Sequence, residues 1–307
     1  MKNKHSLSVD NVLDDASNNI ASMVNEIFDI INIGEPDSLE YAIFMSHIES
    51  KISSIVGNMI EYAMANHLNL TSSFRDLGVW KRQDPDFPDN IFVSDQLSEV
   101  PGIEVKAWYP LATEITARFK PSQSMLSHNN PLLALVAWLP EYILHGKPKI
   151  IGVKIIPAME LAKSRDNHYF DPPSYLVVEP ENTVDRTQNL QQRNVNGFKS
   201  QTEAWTAEEK AKAAEFLSTL DFKNHNYSIN PTTRQLTNYL LHNFQYREET
   251  NFAKINRIKN PSVNAFKAEI MDKKIFNHTI SYWSHISKKR EVVKEYYDHI
   301  VKGNSKF

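Results

Sequence analysis

DPDFPDNIFVSDQLSEVPGIEVKAW, running from Asp84 to Trp108, is the stretch around which the rest of this chain is read. It opens with a Pro-Asp pair, Pro88-Asp89, passes through turn-rich sequence, and ends in a short apolar run carrying Glu104 and Lys106 on either side of Val105. Alternate side chains of an extended strand share one face, so Glu104 and Lys106 point the same way, while Ile103 and Val105 turn into a core. Ile91-Phe92-Val93, just after Asp89, reads as the preceding strand, and 95–102 as the turn joining the two. Two carboxylates brought to one ammonium are the hard oxygen donors that suit Mg2+. The lysine of such a set can orient a water or neutralise charge growing on a phosphate.

Pro88-Asp89, a spacer and Glu104-Val105-Lys106 within GIEVKAW resemble the signature of the PD-(D/E)XK nuclease superfamily, and most of all its type II restriction endonucleases. Acid-x-Lys triplets also occur at Glu49-Ser50-Lys51, Glu208-Glu209-Lys210, Asp221-Phe222-Lys223 and Asp272-Lys273-Lys274, mostly in helix-like or polar sequence. Only the one at Glu104 stands in a β-like run behind Pro-Gly with a Pro-Asp upstream. The bland reading of that triplet is a strand with a surface ion pair. The resemblance implies an α/β fold with a restriction-endonuclease-like core: a central mixed five-stranded sheet flanked by helices, with helical N- and C-terminal additions. It implies Asp89, Glu104 and the Val105 carbonyl as ligands of Mg2+, and Lys106 as the group that positions or activates water. Asp84 and Asp86 compete with Asp89 for the first ligand. Asp89 is preferred because it has the family's proline before it and a strand after it, and Asp86 comes second.

The chain has 307 residues, 41% hydrophobic and 23% charged, the composition of one large globular domain or two small ones. The expectation is one nuclease domain across 1–307, with the catalytic core and its DNA-reading loops at about 38–200 and a helical extension at about 205–307. Cysteine is absent, which removes disulfides, Cys-based metal sites and a thiol nucleophile. Together with the lack of an apolar run of membrane length or a signal-like N-terminus, this points to the cytoplasm of a prokaryotic cell. Glycine is scarce, and neither GxGxxG nor GxxxxGK[ST] occurs, which argues against Rossmann and P-loop nucleotide sites. There is no HExxH and no GxSxG elbow, and of the 11 scattered histidines only His145 and His168 invite inspection.

Apolar spacing predicts a first helix over 8–33 and, after Pro36-Asp37-Ser38, a longer one from Ser38 to His67 with Ser38 as its cap. Gly57 stands one turn before Glu61 in the second helix, a small residue that lets a helix approach a sheet. In the resembling family the first core helix presents an acid to the metal site, which makes Glu61 an accessory catalytic residue; its alternative is an exposed helix glutamate. The segment 69–81 reads as a connector or edge strand. The apolar runs 131–139, 149–158 and 174–179 read as strands that join the catalytic hairpin to give about five.

Arg118, Lys120 and Gln123 follow the motif lysine and are candidate phosphate or water-positioning groups, since the family places a helix beside the scissile phosphate there. The loop 182–202 concentrates Gln191, Gln192, Arg193, Asn194, Asn196 and Lys199, side chains whose paired donors and acceptors match base edges in the major groove. Helices are expected from Thr206 and over 233–245. From 251 onward the chain is read as helical and basic, with 12 Lys and Arg against five Asp and Glu, a net +7 where the whole chain is −3. That asymmetry suits a tail against phosphate backbone. Tyr282, Trp283, Tyr296 and Tyr297 within it are expected to pack rather than stack on bases.

The resemblance thus leads to a Mg2+-dependent type II site-specific deoxyribonuclease acting on double-stranded DNA. It also implies a homodimer and a companion DNA methyltransferase. A structure-specific repair or junction nuclease of the same fold, and a non-catalytic DNA-binding or interaction protein with an accidental motif, stay open at this stage.

Overall fold

A computed structural model describes residues 6–83, 86–121, 123–127, 131–169, 178–180, 246–248 and 254–303, with a few positions between 206 and 215. The chain falls into two compact units, one made of 1–117, 121–160 and 261–307, the other of 118–120 and 161–260.

The first unit is built on a five-stranded mixed sheet in the order β1 (Val79–Arg82), β2 (Asn90–Val93), β3 (Gly102–Trp108), β4 (Leu132–Pro140) and β5 (Pro148–Pro157). Neighbours run antiparallel except β3 and β4, which are parallel, Glu104 pairing with Leu133 and Lys106 with Leu135. β4 is buried along nearly its whole length, which is why its sequence is continuously apolar rather than alternating. The sheet is therefore the expected mixed five-stranded one flanked by helices, but its fifth strand is β1. The run 174–179 instead supplies β6 (Val178–Pro180), which pairs with β7 (Tyr246–Glu248) in the second unit. β1 was legible only as a connector or edge strand, and it is indeed the edge, its pairing with β2 set by Trp80 opposite Phe92.

The first helix is shorter than its apolar pattern predicts. α1 spans Val9–Ser22, capped by the Ser8 hydroxyl, and buries Val12, Leu13, Ala16 and Ile20. Beyond it Asn25 takes a left-handed turn (φ 77°) and donates its N–H to the Ile150 carbonyl. The chain then runs along the outer edge of β5, with Ile27 bridged to Lys149 and Ile33 to Gly146. An open strand edge offers unpaired backbone groups, and satisfying them outweighs continuing a helix through Ile27, Phe28 and Ile31. α2 spans Leu39–Thr71, longer than predicted at its end, and starts where expected, the Ser38 hydroxyl accepting from the Tyr41 N–H. It packs against β1 and β3. A Cβ built on Gly57 would stand 3.5 Å from the Ala107 Cβ, so the helix lies close on the sheet, with room there for a methyl group and little more.

The 3-10 turn Pro110–Ala112 and the short α3 (Gln123–Leu126) follow β3, and α4 (Ala158–Tyr169) follows β5. The C-terminal part groups with the sheet. α5 (Pro261–Asp272) packs on β5, where Ile270 and Phe266 fill the space a Cβ at Gly152 would need. The tail is not helical throughout: β8 (Lys274–Ile275) and β9 (His278–Thr279) form a hairpin before α6 (Ile280–Trp283) and α7 (Arg290–Tyr296). Trp283, Tyr296 and Tyr297 are buried, as expected for packing residues. The helix expected over 233–245 lies outside the described residues; of the one expected from Thr206, the described positions 207–208, 211–212 and 215 are helical. Among the described residues no helix is long and apolar enough to cross a membrane.

Candidate active site

The two catalytic-strand candidates are neighbours in the sheet, β2 and β3 pairing through Asn90 with Ile103 and Ile91 with Gly102. One residue beyond that ladder, Asp89 stands beside Glu104. The Asp89 N–H donates to Glu104 Oε2 (3.2 Å), and Asp89 Oδ2 accepts from the Val105 N–H (2.7 Å). Because β2 covers β3 no further than this, the edge that carries the Val105 N–H and carbonyl faces Asp89 rather than another strand. Two features hold the Pro-Asp turn in place. Gln83 donates from its backbone to the Asp89 carbonyl (2.9 Å) and from its side chain to the Pro88 carbonyl (2.9 Å). Pro88 also sits directly over Gly102, where a Cβ would come within 2.4 Å of its ring, so the glycine of Pro101-Gly102 is a steric requirement of the turn.

Lys106 reaches back along the strand face. Its ammonium pairs with Glu104 Oε1 and lies 3.8 Å from Asp89 Oδ2. Glu61 is contributed by α2, held by Arg82 of β1 (Nη2 to Oε2, 3.2 Å), with its charge felt by Asp89 and Lys106. Asp89, Glu104 and Lys106 are thus in direct contact, and Glu61 is near enough for Asp89 and Lys106 to bear on its charge. Asp86 is exposed and Asp84 lies outside the described residues. Arg82 and Gln83 were missed in the sequence, and the only signal was their place in the segment that leads into the Asp-rich turn. Gly102 could have been suspected from the Pro-Gly alone.

Three carboxylates here meet one ammonium, Lys106, and one guanidinium, Arg82, and the electrostatics follow from that imbalance. Burial pushes the Glu104 carboxyl up to about 7; Asp89 adds to the rise and Lys106 opposes it. Burial and Asp89 also raise Glu61 above the usual carboxylate range, against Lys106 and Arg82. Burial works to lower the Lys106 ammonium, but Glu104, Asp89 and Glu61 outweigh it and hold it above its ordinary value. The cluster is short of positive charge, and Lys106 already bridges Glu104 and Asp89 as a monovalent cation would. These oxygens fit Mg2+, which is held by one or two carboxylates and keeps several of its waters.

Of the remaining candidates, Gln123 begins α3, while Arg118 and Lys120 belong to the second unit. Arg118 bridges Lys254 through its backbone there. Gln191, Gln192, Arg193, Asn194, Asn196, Lys199 and His168's side chain lie outside the described residues. His145 is a packing residue: buried, 2.7 Å from the Tyr296 hydroxyl, and lowered by its burial. In the basic tail Lys273 donates to the Ile151 carbonyl and pairs with Glu269, and Lys294 and Lys302 pair with Asp298, whereas Lys288, Lys289 and Arg290 are exposed. A cavity of about 290 Å³ lined by residues including Ser46, His47, Tyr109 and Thr113 shares none of Glu61, Asp89, Glu104 and Lys106. Compared with known proteins, the chain matches no family model and no curated protein.

Proposed function

We propose that this chain is a Mg2+-dependent endonuclease of the PD-(D/E)XK kind, acting on double-stranded DNA as a type II site-specific enzyme. The observation that carries the reading is the convergence of Asp89, Glu104 and Lys106 at one end of the β2–β3 hairpin, with the Val105 backbone facing Asp89.

Asp89, Glu104 and the Val105 carbonyl would hold the ion. Bound there, Mg2+ supplies a more acidic water and charge stabilisation for the phosphate. Lys106, once released from its bridging position, donates to the attacking water or to a non-bridging phosphate oxygen as negative charge builds. Attack of the water oxygen on phosphorus breaks the bond to the 3′ oxygen, leaving 5′-phosphate and 3′-hydroxyl ends. Glu61, near this end of the sheet but committed to Arg82, orients water rather than binding the ion first. A homodimer and a companion methyltransferase belong to the same reading.

The test is digestion of mixed-sequence plasmid or phage DNA with Mg2+, with EDTA, and with Lys106→Ala. Discrete fragments that need Mg2+ and vanish in the variant support the assignment. Cutting that survives Lys106→Ala overturns the site, cleavage of branched DNA alone moves the protein to repair, and the absence of any cleavage with DNA binding intact overturns the enzyme.

A further inference from the structure

The long helix α2 carries an apolar stripe that is exposed among the described residues. Tyr41, Phe44, Ile55 and Tyr62 are 46%, 53%, 54% and 59% exposed, and Ile48, Ile52 and Met59 are half-buried along the same helix. The opposite side of α2 is spent on the interior through Ala42, Met45, Val56, Ile60, Met64 and Leu68. Tyr41, Ile48, Ile55 and Tyr62 follow one another at steps of seven residues, the repeat that keeps a seam facing a partner helix. Over about 30 Å of helix the seam includes a single charged residue, Lys51.

The order of the residues identifies the partner. Read from either end, the stripe runs Tyr, then Phe or Met, then Ile: Tyr41 matches Tyr62, Phe44 matches Met59, and Ile48 matches Ile55, about a centre between Lys51 and Ile52. A stripe that reads the same in both directions is complementary to itself under a two-fold axis, the symmetry of an isologous dimer. From these observations we infer that α2 is the interface between two copies of this chain, paired antiparallel with the axis at Lys51 and Ile52.

The area agrees. About half of each exposed aromatic is free, so the four exposed residues alone offer about 400 Å² per copy. Two copies with the flanking half-buried Ile48, Ile52 and Met59 then pass the roughly 1,000 Å² that a specific interface needs. The stripe is read from α2 alone, so absence of cleavage leaves the interface standing, whereas a monomeric wild type removes both the interface and the homodimer of the nuclease reading.

Sedimentation equilibrium of the full chain, wild type and Ile55→Glu, tests the interface, with circular dichroism to confirm that the variant folds. At roughly 20 µM the wild type should be dimeric, and Ile55→Glu should weaken association at least tenfold. Because the chain has no cysteine, single cysteines then report the direction of pairing. Ile52→Cys should cross-link to itself under oxidation, Tyr62→Cys should not, and Tyr41→Cys with Tyr62→Cys in one chain should. A monomeric wild type, or a dimer that survives Ile55→Glu, overturns the interface. Self-cross-linking of Tyr62→Cys overturns the antiparallel order.

Discussion

Glu104→Gln isolates the charge imbalance at the hairpin. The glutamine keeps the shape, can still accept from the Asp89 N–H, and removes one of the three carboxylates that share Lys106. Without metal, a Glu104 carboxyl raised from 4.5 to about 7 means that ionising it in the fold costs roughly 3 kcal/mol more than in the unfolded chain. The folded state holds this proton more tightly, so its contribution is fully present below about pH 4.5 and is lost as pH rises to about 7. At pH 8 the variant escapes that cost, in which the attraction of Lys106 is already counted, but its amide must find an acceptor where the carboxylate stood, at about 1 kcal/mol. A net stabilisation of about 2 kcal/mol should remain, equivalent to roughly 5 °C in Tm for a chain of this size. Thermal melts in EDTA between pH 5 and 8 should show wild-type stability falling with pH and the variant's falling less. Added Mg2+ should stabilise the wild type increasingly as pH rises, because its ligands must lose their proton, and leave Glu104→Gln nearly unmoved. If Glu104→Gln is less stable than wild type at pH 8 in EDTA, the ion pair outweighs burial. Glu104 is then a structural anchor and the reasoning from excess negative charge fails.

The other predictions concern single contacts. Lys106→Ala should reduce Mg2+-dependent cleavage by at least about a hundredfold with DNA binding retained, read by gel cleavage beside a binding titration. Gly102→Ala places a methyl group against the rigid Pro88 ring and should destabilise the fold by about 1–3 kcal/mol in denaturant melts, together with a loss of Mg2+ affinity as Asp89 shifts. An unchanged melt would mean that the turn is not held there. His145 is lowered by burial, so the fold favours its neutral form. Its contribution is complete above about pH 6.5 and is lost on acidification below that. Replacing His145 by Gln should flatten the stability profile on the acid side of pH 6.5, measured by urea titrations at each pH.

Much of the first unit was legible because it rests on local rules. Ser38 announces α2 through its hydroxyl, the continuous apolar run of β4 announces a strand buried on both faces, and Glu104 and Lys106 share a face because a strand has period two. The Pro-Asp and Glu-x-Lys elements could be read for the same reason, as short patterns whose chemistry lies in residue type and spacing. What the sequence left open depends on partners distant along the chain. Apolar spacing over Ile27, Phe28 and Ile31 fits a helix, but an open β5 edge takes that segment into bridges with Lys149 and Gly146. The strand after Asp89 favoured it over Asp86, but that Glu104 and the Val105 N–H reach it depends on the pairing of β2 with β3, and Arg82 meets Glu61 only once β1 and α2 are packed together. On α2 the same apolar alphabet fills two sides of one helix, and only burial tells the residues that hold the monomer from those left facing outward. Periodicity names the face of an element, and the tertiary structure decides what that face meets.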